Sequence, residues 1–356
     1  MSELHGVNLT VVKAHNEAVI INLIRRKAPI SRYELAELSG LTPATISVIV
    51  NRLILQGILG ETGTAPSRGG SLGGRRRRYV ELVPDSRVGI GLLVSRSGCV
   101  GCVVDISGRV HAVLGGSFGD TLAELSEEYL SQQLERELGG LIRYADGHKM
   151  TVMGIGIGVP TWYPPHLDWQ RMVDSIAPYS VPVTFSNNAV AAALGEWWYG
   201  GGEVPLPSLY AFVGGGIGGA LITQGGAAGV PDFQPIELGH LGVSVSGEEC
   251  YCGGRGCLEN FVLNSSHSPE MAMDAVAYAL RSLTHLFNVR TVTVGGPESH
   301  MFHNIDLLRA RLQQLHRPEP VTVEPSRIAP EHQALGAGAL VFQTILARRI
   351  SSLPAL

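Results

Sequence analysis

The stretch Glu237–Glu259 constrains this chain more than any other, because it gathers three of the five cysteines and a histidine within eighteen positions. His240, Cys250, Cys252 and Cys257 offer three thiolates and one imidazole, a complete tetrahedral shell for a structural zinc ion with no position left for water. Gly253, Gly254 and Gly256 let the backbone turn tightly enough for the sulfurs to converge. The alternative is a cysteine-rich loop closed by a disulfide. It fits poorly, since two thiols stand one residue apart in Cys250-Tyr251-Cys252. Cys99 and Cys102 fall in an expected hairpin and read as buried thiols of a reducing compartment.

The net charge of −4 conceals an asymmetry. Residues 1–80 hold eleven Lys and Arg against five Asp and Glu, a net of +6, and the rest holds 16 against 26, a net of −10. A basic small domain on an acidic large one points to a polyanion partner for the first only. No uncharged apolar run of about eighteen residues occurs, and the N-terminus lacks a basic-then-apolar signal pattern. A cytoplasmic protein with no membrane partner is expected.

Val11–Lys27 carries Val12, Val19, Ile20, Leu23 and Ile24 at helical spacing and ends in basic residues. Ser31 and Glu34 form a capping box that opens a second helix, and Gly40 closes it. Thr42 and Pro43 start a third as N-cap and first helical residue. Its stripe of Ile46, Ile49, Val50, Leu53 and Ile54 faces inward, leaving Ala44, Thr45, Ser47, Val48 and Arg52 nearer the outside. This pattern predicts a helix-turn-helix whose last helix enters a major groove, with a protein-binding helical bundle as the alternative. Residues 56–61 and the glycine- and arginine-rich run beyond them look like a wing. Ala65–Arg78 reads as a flexible linker whose four arginines meet phosphates or a narrow minor groove, or else form a solvated hinge.

From Tyr79 onward, apolar strands alternate with helices. Val88–Val94, Cys99–Asp105 and Val110–Ser117 read as a meander, followed by a helix near 121–145 and the strand Thr151–Val159. The scheme repeats in the second half, which predicts a two-lobed α/β domain.

Glu237-x-Gly-His240 followed by Cys250-x-Cys252-Gly-x-x-Gly-Cys257-x-Glu259 resembles the signature of the ROK family of sugar kinases and sugar-responsive repressors. The resemblance implies a winged helix-turn-helix followed by an actin-like, ribonuclease-H-like domain with a sugar between its lobes. A Gly-Gly-Arg-Arg element before the sugar domain, here at residues 73–78, is similar to the repressor branch, whereas family kinases lack the N-terminal region. The expected boundaries are a DNA-binding domain at 1–64, a linker at 65–78 and a ROK domain at 79–356. Within the last, lobe one takes about 79–185 plus 334–356 and lobe two about 186–333.

Family kinases begin with an Asp-x-Gly-Gly-Thr phosphate loop, and the corresponding 91–97 stretch has lost its aspartate, paired glycines and threonine. The second loop, Gly214–Gly219, survives and is expected as a tight hairpin rather than a nucleotide site. The family's general base falls at Asn188, whose amide holds a hydroxyl but accepts no proton at neutral pH. No kinase activity is expected. By the same resemblance, Asn187, Asn188, Glu237, His240 and Glu259 line or support a site for a sugar-like effector. Trp162, Tyr163 and Trp169 either stack on a sugar or fill an interface.

The expected function is a sequence-specific transcriptional regulator, most simply a repressor, of carbohydrate-related genes on double-stranded DNA. The DNA-binding set is Ser31, Thr42, Pro43, Ala44, Thr45, Ser47, Arg52, Arg75, Arg76, Arg77 and Arg78. One helix-turn-helix buries too little surface for useful specificity, so a homodimer or homotetramer follows. The rivals are a sugar kinase with an unusual base and a regulator with a vestigial sugar site.

Overall fold

The computed structural model describes residues 9–62, 78–84, 87–120, 122–160, 164, 166–176, 181–201, 204–225, 230–263, 267–296, 305–315 and 321–351. Three helices come first: α1 (Leu9–Lys27), α2 (Arg32–Ser39) and α3 (Pro43–Leu55). The Ser31–Glu34 capping box is formed, and Gly40 takes the left-handed conformation at φ 70° that stops α2. Thr42 caps α3 by accepting from the Thr45 amide. The axes of α2 and α3 bend by 120° across this turn, the geometry of a helix-turn-helix.

A three-stranded sheet completes this domain, from β1 (Ile30–Ser31), β2 (Leu59–Thr62) and β3 (Tyr79–Leu82). β3 is central, pairing antiparallel with both neighbours, and its first residue Tyr79 is the partner of Thr62. The sequence boundary therefore moves. Tyr79–Leu82 pairs within the winged-helix sheet instead of opening the second domain, and the expected linker lies, up to residue 77, outside the described residues. Arg75, Arg76 and Arg77 lie outside the described residues.

The second domain contains two five-stranded sheets of the same design. The first has β4 (Arg87–Val94), β5 (Gly98–Asp105), β6 (Val110–Ser117), β7 (Thr151–Val159) and β8 (Val183–Asn187) in the order β6-β5-β4-β7-β8. α4 (Glu127–Gly147) and α5 (Trp169–Ile176) cover one face. The linking helix α6 (Asn188–Tyr199) then leads to β9 (Ser208–Val213), β10 (Ile217–Thr223) and β11 (Asp232–Ile236). Next come α7 (Leu258–Leu263), α8 (Pro269–Leu286), β12 (Thr291–Gly295), α9 (Ile305–Leu315), β13 (Thr322–Pro325) and α10 (Leu335–Ser351). The second sheet runs β11-β10-β9-β12-β13. In both sheets three strands form an antiparallel meander and two add in parallel. The predicted repeat is thus a duplicated ribonuclease-H-like half.

α10 returns from lobe two to pack on α6, β4 and β7, and α1 of the DNA-binding domain packs on α10 in turn. The small residues of Leu335-Gly-Ala-Gly-Ala-Leu340 make that approach possible. A Cβ on Gly336 would stand 1.9 Å from the Ala191 carbonyl oxygen of α6. Trp169, 5 % exposed, fills the core beneath lobe one, while Trp162 and Tyr163 lie outside the described residues. Cys99 and Cys102 are buried free thiols, both pushed up to about 12 by loss of solvent. Among the described residues no single helix is long and apolar enough to cross a membrane.

Candidate functional site

The exposed face of α3 carries Ala44, Val48, Asn51 and Leu55, a stripe at helical spacing. Val48 is 68 % exposed and Leu55 89 %. Thr42, Pro43 and Ala44 stand exposed at the start of α3, with Thr45 and Ser47 half-buried. Ser47 is turned back, its hydroxyl donating to the Pro43 carbonyl at 2.8 Å.

Two residues expected at DNA are committed elsewhere. Ser31 is 2 % exposed, and its hydroxyl accepts from the Glu34 amide and donates to the Glu34 carboxylate at 2.6 Å. Arg52 Nη2 is ion-paired with Glu17 of α1, a carboxylate only 5 % exposed, so this arginine braces α3 against α1. Polarity near a recognition helix reads as DNA contact in the sequence, and the partners of both side chains emerge only in the fold. Arg78 bonds Glu61 at 2.7 Å beside Arg32, and these bonds hold the Glu61 carboxyl below the ordinary range. Asn51, which spacing from Ala44 and Val48 could have added, accepts from Arg32 at 2.8 Å.

The second site is the cleft between the two sheets, a cavity of about 70 Å³. Asn187, Asn188, Glu237, His240 and Glu259 all line it. Asn187 caps α6, its Oδ1 accepting from the amides of Ala189 and Val190. Asn188 Nδ2 donates to the Val94 carbonyl at 3.2 Å. Gly214–Gly216 forms the tight turn between β9 and β10, as expected, with Gly215 at φ 72°.

Glu259 is 3 % exposed and both its oxygens are engaged. Oε2 accepts from the Ile217 amide at 2.7 Å, and Oε1 from Arg96 Nη1 at 3.0 Å and the Tyr251 hydroxyl at 2.9 Å. Arg96 comes from the β4–β5 turn, where the phosphate loop of a kinase is expected, so this ion pair spans the cleft from lobe to lobe. Its guanidinium also sits 5.2 Å from the Tyr251 ring centroid. Neither Arg96 nor Tyr251 was singled out from sequence, because one falls in a degenerate loop and the other reads as a spacer between cysteines.

Tyr251 also joins the cleft to the cysteine cluster. Its hydroxyl donates to Glu259 and so accepts from His240 Nε2, at 3.0 Å. That leaves Nδ1 unprotonated on the side of the thiols, as metal ligation requires. Burial lowers the imidazole's pKa, which also favours the neutral, ligating form. Cys250 Sγ lies 3.5 Å from Nδ1, Cys252 and Cys257 Sγ are 3.6 Å apart, and all four ligand atoms fall within 4.8 Å of one another. A tetrahedral ion with metal–sulfur bonds of about 2.3 Å needs sulfurs about 3.8 Å apart and sulfur–nitrogen pairs near 3.6 Å. The cluster can therefore hold a metal ion. Its loop depends on Gly253 and Gly256, at φ 85° and 62°. A Cβ on Gly256 would stand 1.8 Å from the Ser244 carbonyl oxygen.

A winged helix-turn-helix on a duplicated ribonuclease-H-like body, with a cluster of one histidine and three cysteines behind the cleft, defines a class of DNA-binding regulator. The ROK family profile matches residues 120–271, and a winged helix-turn-helix DNA-binding profile matches residues 19–59. The xylose repressor of Bacillus spizizenii is 29 % identical over 301 residues, covering 80 % of this chain and 75 % of that one. The DNA-binding transcriptional dual regulator NagC of Escherichia coli is 26 % identical over 276 residues, covering 73 % of this chain and 65 % of that protein. The crystal structure of a ROK family transcriptional regulator, a homolog of the E. coli MLC protein, superposes with a TM-score of 0.70. That match covers 96 % of this chain and 100 % of that one at 18 % identity. Residues 120–271 thus carry a ROK family domain, preceded by a winged helix-turn-helix at residues 19–59.

Proposed function

We propose that this chain is a sequence-specific transcriptional repressor of carbohydrate-related genes whose DNA binding responds to a sugar held between the lobes. The observation that carries this reading is the exposed face of α3, capped by Thr42 and presenting Ala44, Val48 and Asn51 at groove-reading spacing. The similarity to a xylose repressor and to an N-acetylglucosamine repressor of Escherichia coli supports the carbohydrate connection. Asn187, Asn188, Glu237 and the Nε2 side of His240 face the same cleft and offer the mixed donors and acceptors that vicinal hydroxyls need. Glu259 joins them when a hydroxyl displaces Arg96.

Phosphoryl transfer is not the activity. Asn188 cannot take a proton from an attacking hydroxyl, and Arg96 stands paired with Glu259 where a phosphate loop would be. Zinc is the ion that suits three thiolates and an imidazole, and His240, Cys250, Cys252 and Cys257 would hold it as a structural brace. The chain works as a homodimer, in keeping with two-fold operators. Thr42, Ala44 and Thr45 contact the groove, and Arg75–Arg78 the backbone flanking it.

In vitro selection of DNA fragments by the full chain, with and without a panel of neutral sugars, tests this reading. A pseudo-palindromic site, released or tightened by one sugar, is expected. Failure to enrich any sequence, together with sugar-dependent ATP turnover, would overturn it.

A further inference from the structure

We propose that Arg25 is a positioning residue for DNA binding: clamped between Trp197 and Trp198, it fixes the rotation of the reading domain on the ROK body. It thereby sets the half-site spacing that a dimer accepts, an inference that rests on the function proposed above.

The last turn of α1 carries Arg25, Arg26 and Lys27. Arg25 leaves its own domain and enters the C-terminal end of α6, 172 residues away in sequence. Its guanidinium carbon lies 4.5 Å from the Trp197 ring centroid and 4.6 Å from that of Trp198. Nη1 donates to the backbone carbonyls of Trp197 and Trp198, which belong to the last turn of α6 and have no partner within that helix. A positive charge there also complements the negative end of the helix dipole. Burial lowers the guanidinium's pKa to about 10, so it stays charged at neutral pH. Nε and Nη2 are buried without a hydrogen-bond partner, which leaves the two ring faces as their compensation.

The triplet Trp197-Trp198-Tyr199 touches all three bodies of the protein. Trp197 meets Phe233 of lobe two edge-on at 6.3 Å. The Tyr199 hydroxyl donates to the Asp105 carbonyl of lobe one at 3.5 Å, and its ring covers Gly108, where a Cβ would come within 2.4 Å. Arg25 adds the reading domain. α1 also packs on α10, but apolar contact is non-directional and leaves rotation weakly specified. A guanidinium held between two rings and two carbonyls specifies it. The other end of α6 begins at Asn187 and Asn188 in the cleft, so a 12-residue helix of about 18 Å joins cleft to clamp.

The test repeats the DNA selection with metal-loaded, full-length wild type, Arg25→Met and Arg25→Lys, checking each fold by circular dichroism and metal content. Wild type is expected to recover one half-site at one gap length, and Arg25→Lys, which keeps the charge without the stacked planar fork, a gap distribution between those of wild type and Arg25→Met. Arg25→Met is expected to recover the same half-site with gaps spread over several base pairs. A two-base-pair change of gap should cost wild type roughly tenfold in affinity and the Met variant roughly threefold or less. An unchanged gap distribution in Arg25→Met would overturn the proposal. So would loss of the half-site itself, or recovery of single half-sites by wild type, which leaves no spacing to set. If Arg25→Met does not fold, Trp198→Phe is read by the same criteria. No enrichment by wild type is a different result, for it removes the regulator reading itself.

Discussion

Replacing Ser31 with alanine separates a structural serine from a DNA-contacting one. Its hydroxyl accepts the Glu34 amide at 3.2 Å and donates to Glu34 Oε2 at 2.6 Å, while the Ser31 amide donates to the same carboxylate at 2.8 Å. Ser31→Ala removes the first two bonds and keeps the third. Losing an N-cap side chain costs about 1 kcal/mol. The charge-assisted bond to a half-exposed carboxylate adds about 1 kcal/mol more. The expected loss is therefore about 2 kcal/mol, roughly a thirtyfold fall in the folding constant. Urea unfolding followed by circular dichroism measures it. DNA affinity, measured where both proteins are fully folded, should stay within about twofold of wild type, since a residue 2 % exposed offers nothing to a phosphate. Unchanged unfolding with a tenfold loss of affinity would refute the reasoning and return Ser31 to the DNA interface.

Elemental analysis of native protein should find one zinc per chain, and chelation should lower the unfolding temperature because the site's binding energy is coupled to folding; a metal-free chain of equal stability would contradict this. Replacing Arg75–Arg78 with alanine should weaken DNA binding and reduce the slope of log affinity against log salt by up to about 3.6, at roughly 0.9 per phosphate contact. An unchanged slope would make the run a solvated connector. Asn188→Asp restores a carboxylate but neither a phosphate loop nor an unpaired Glu259, so sugar-dependent ATP turnover should stay undetectable; measurable ADP release would show that the base alone was missing.

Features legible in the sequence were those set by near neighbours. The caps at Ser31 and Thr42, the stop at Gly40 and the converging thiols each involve residues a few positions apart, and all are formed. The repeated meander was readable because strands joined by short turns pair with one another. What stayed hidden depends on partners far along the chain. Tyr79–Leu82 reads as the start of a new domain because its mates, Leu59–Thr62, lie beyond a glycine- and arginine-rich run that looks like a linker. Arg96 and Glu259 are 163 positions apart, and Arg25 and Trp198 are 173, so no local pattern announces either pair. Arg52 looks like a groove contact until Glu17 is seen on the neighbouring helix. The groove-facing and metal-ligating residues were named by spacing and the cleft residues by family resemblance, and their alliances came only from the fold.

The central claim is that α3 reads DNA through its exposed stripe, and the most direct test is to repeat the selection with Val48→Ala and Asn51→Ala. Each should blur the recovered motif at one or two positions per half-site, costing about 1–3 kcal/mol at the affected base pair and leaving the salt slope unchanged. A motif identical to that of wild type in both variants would mean that this face of α3 does not read the operator.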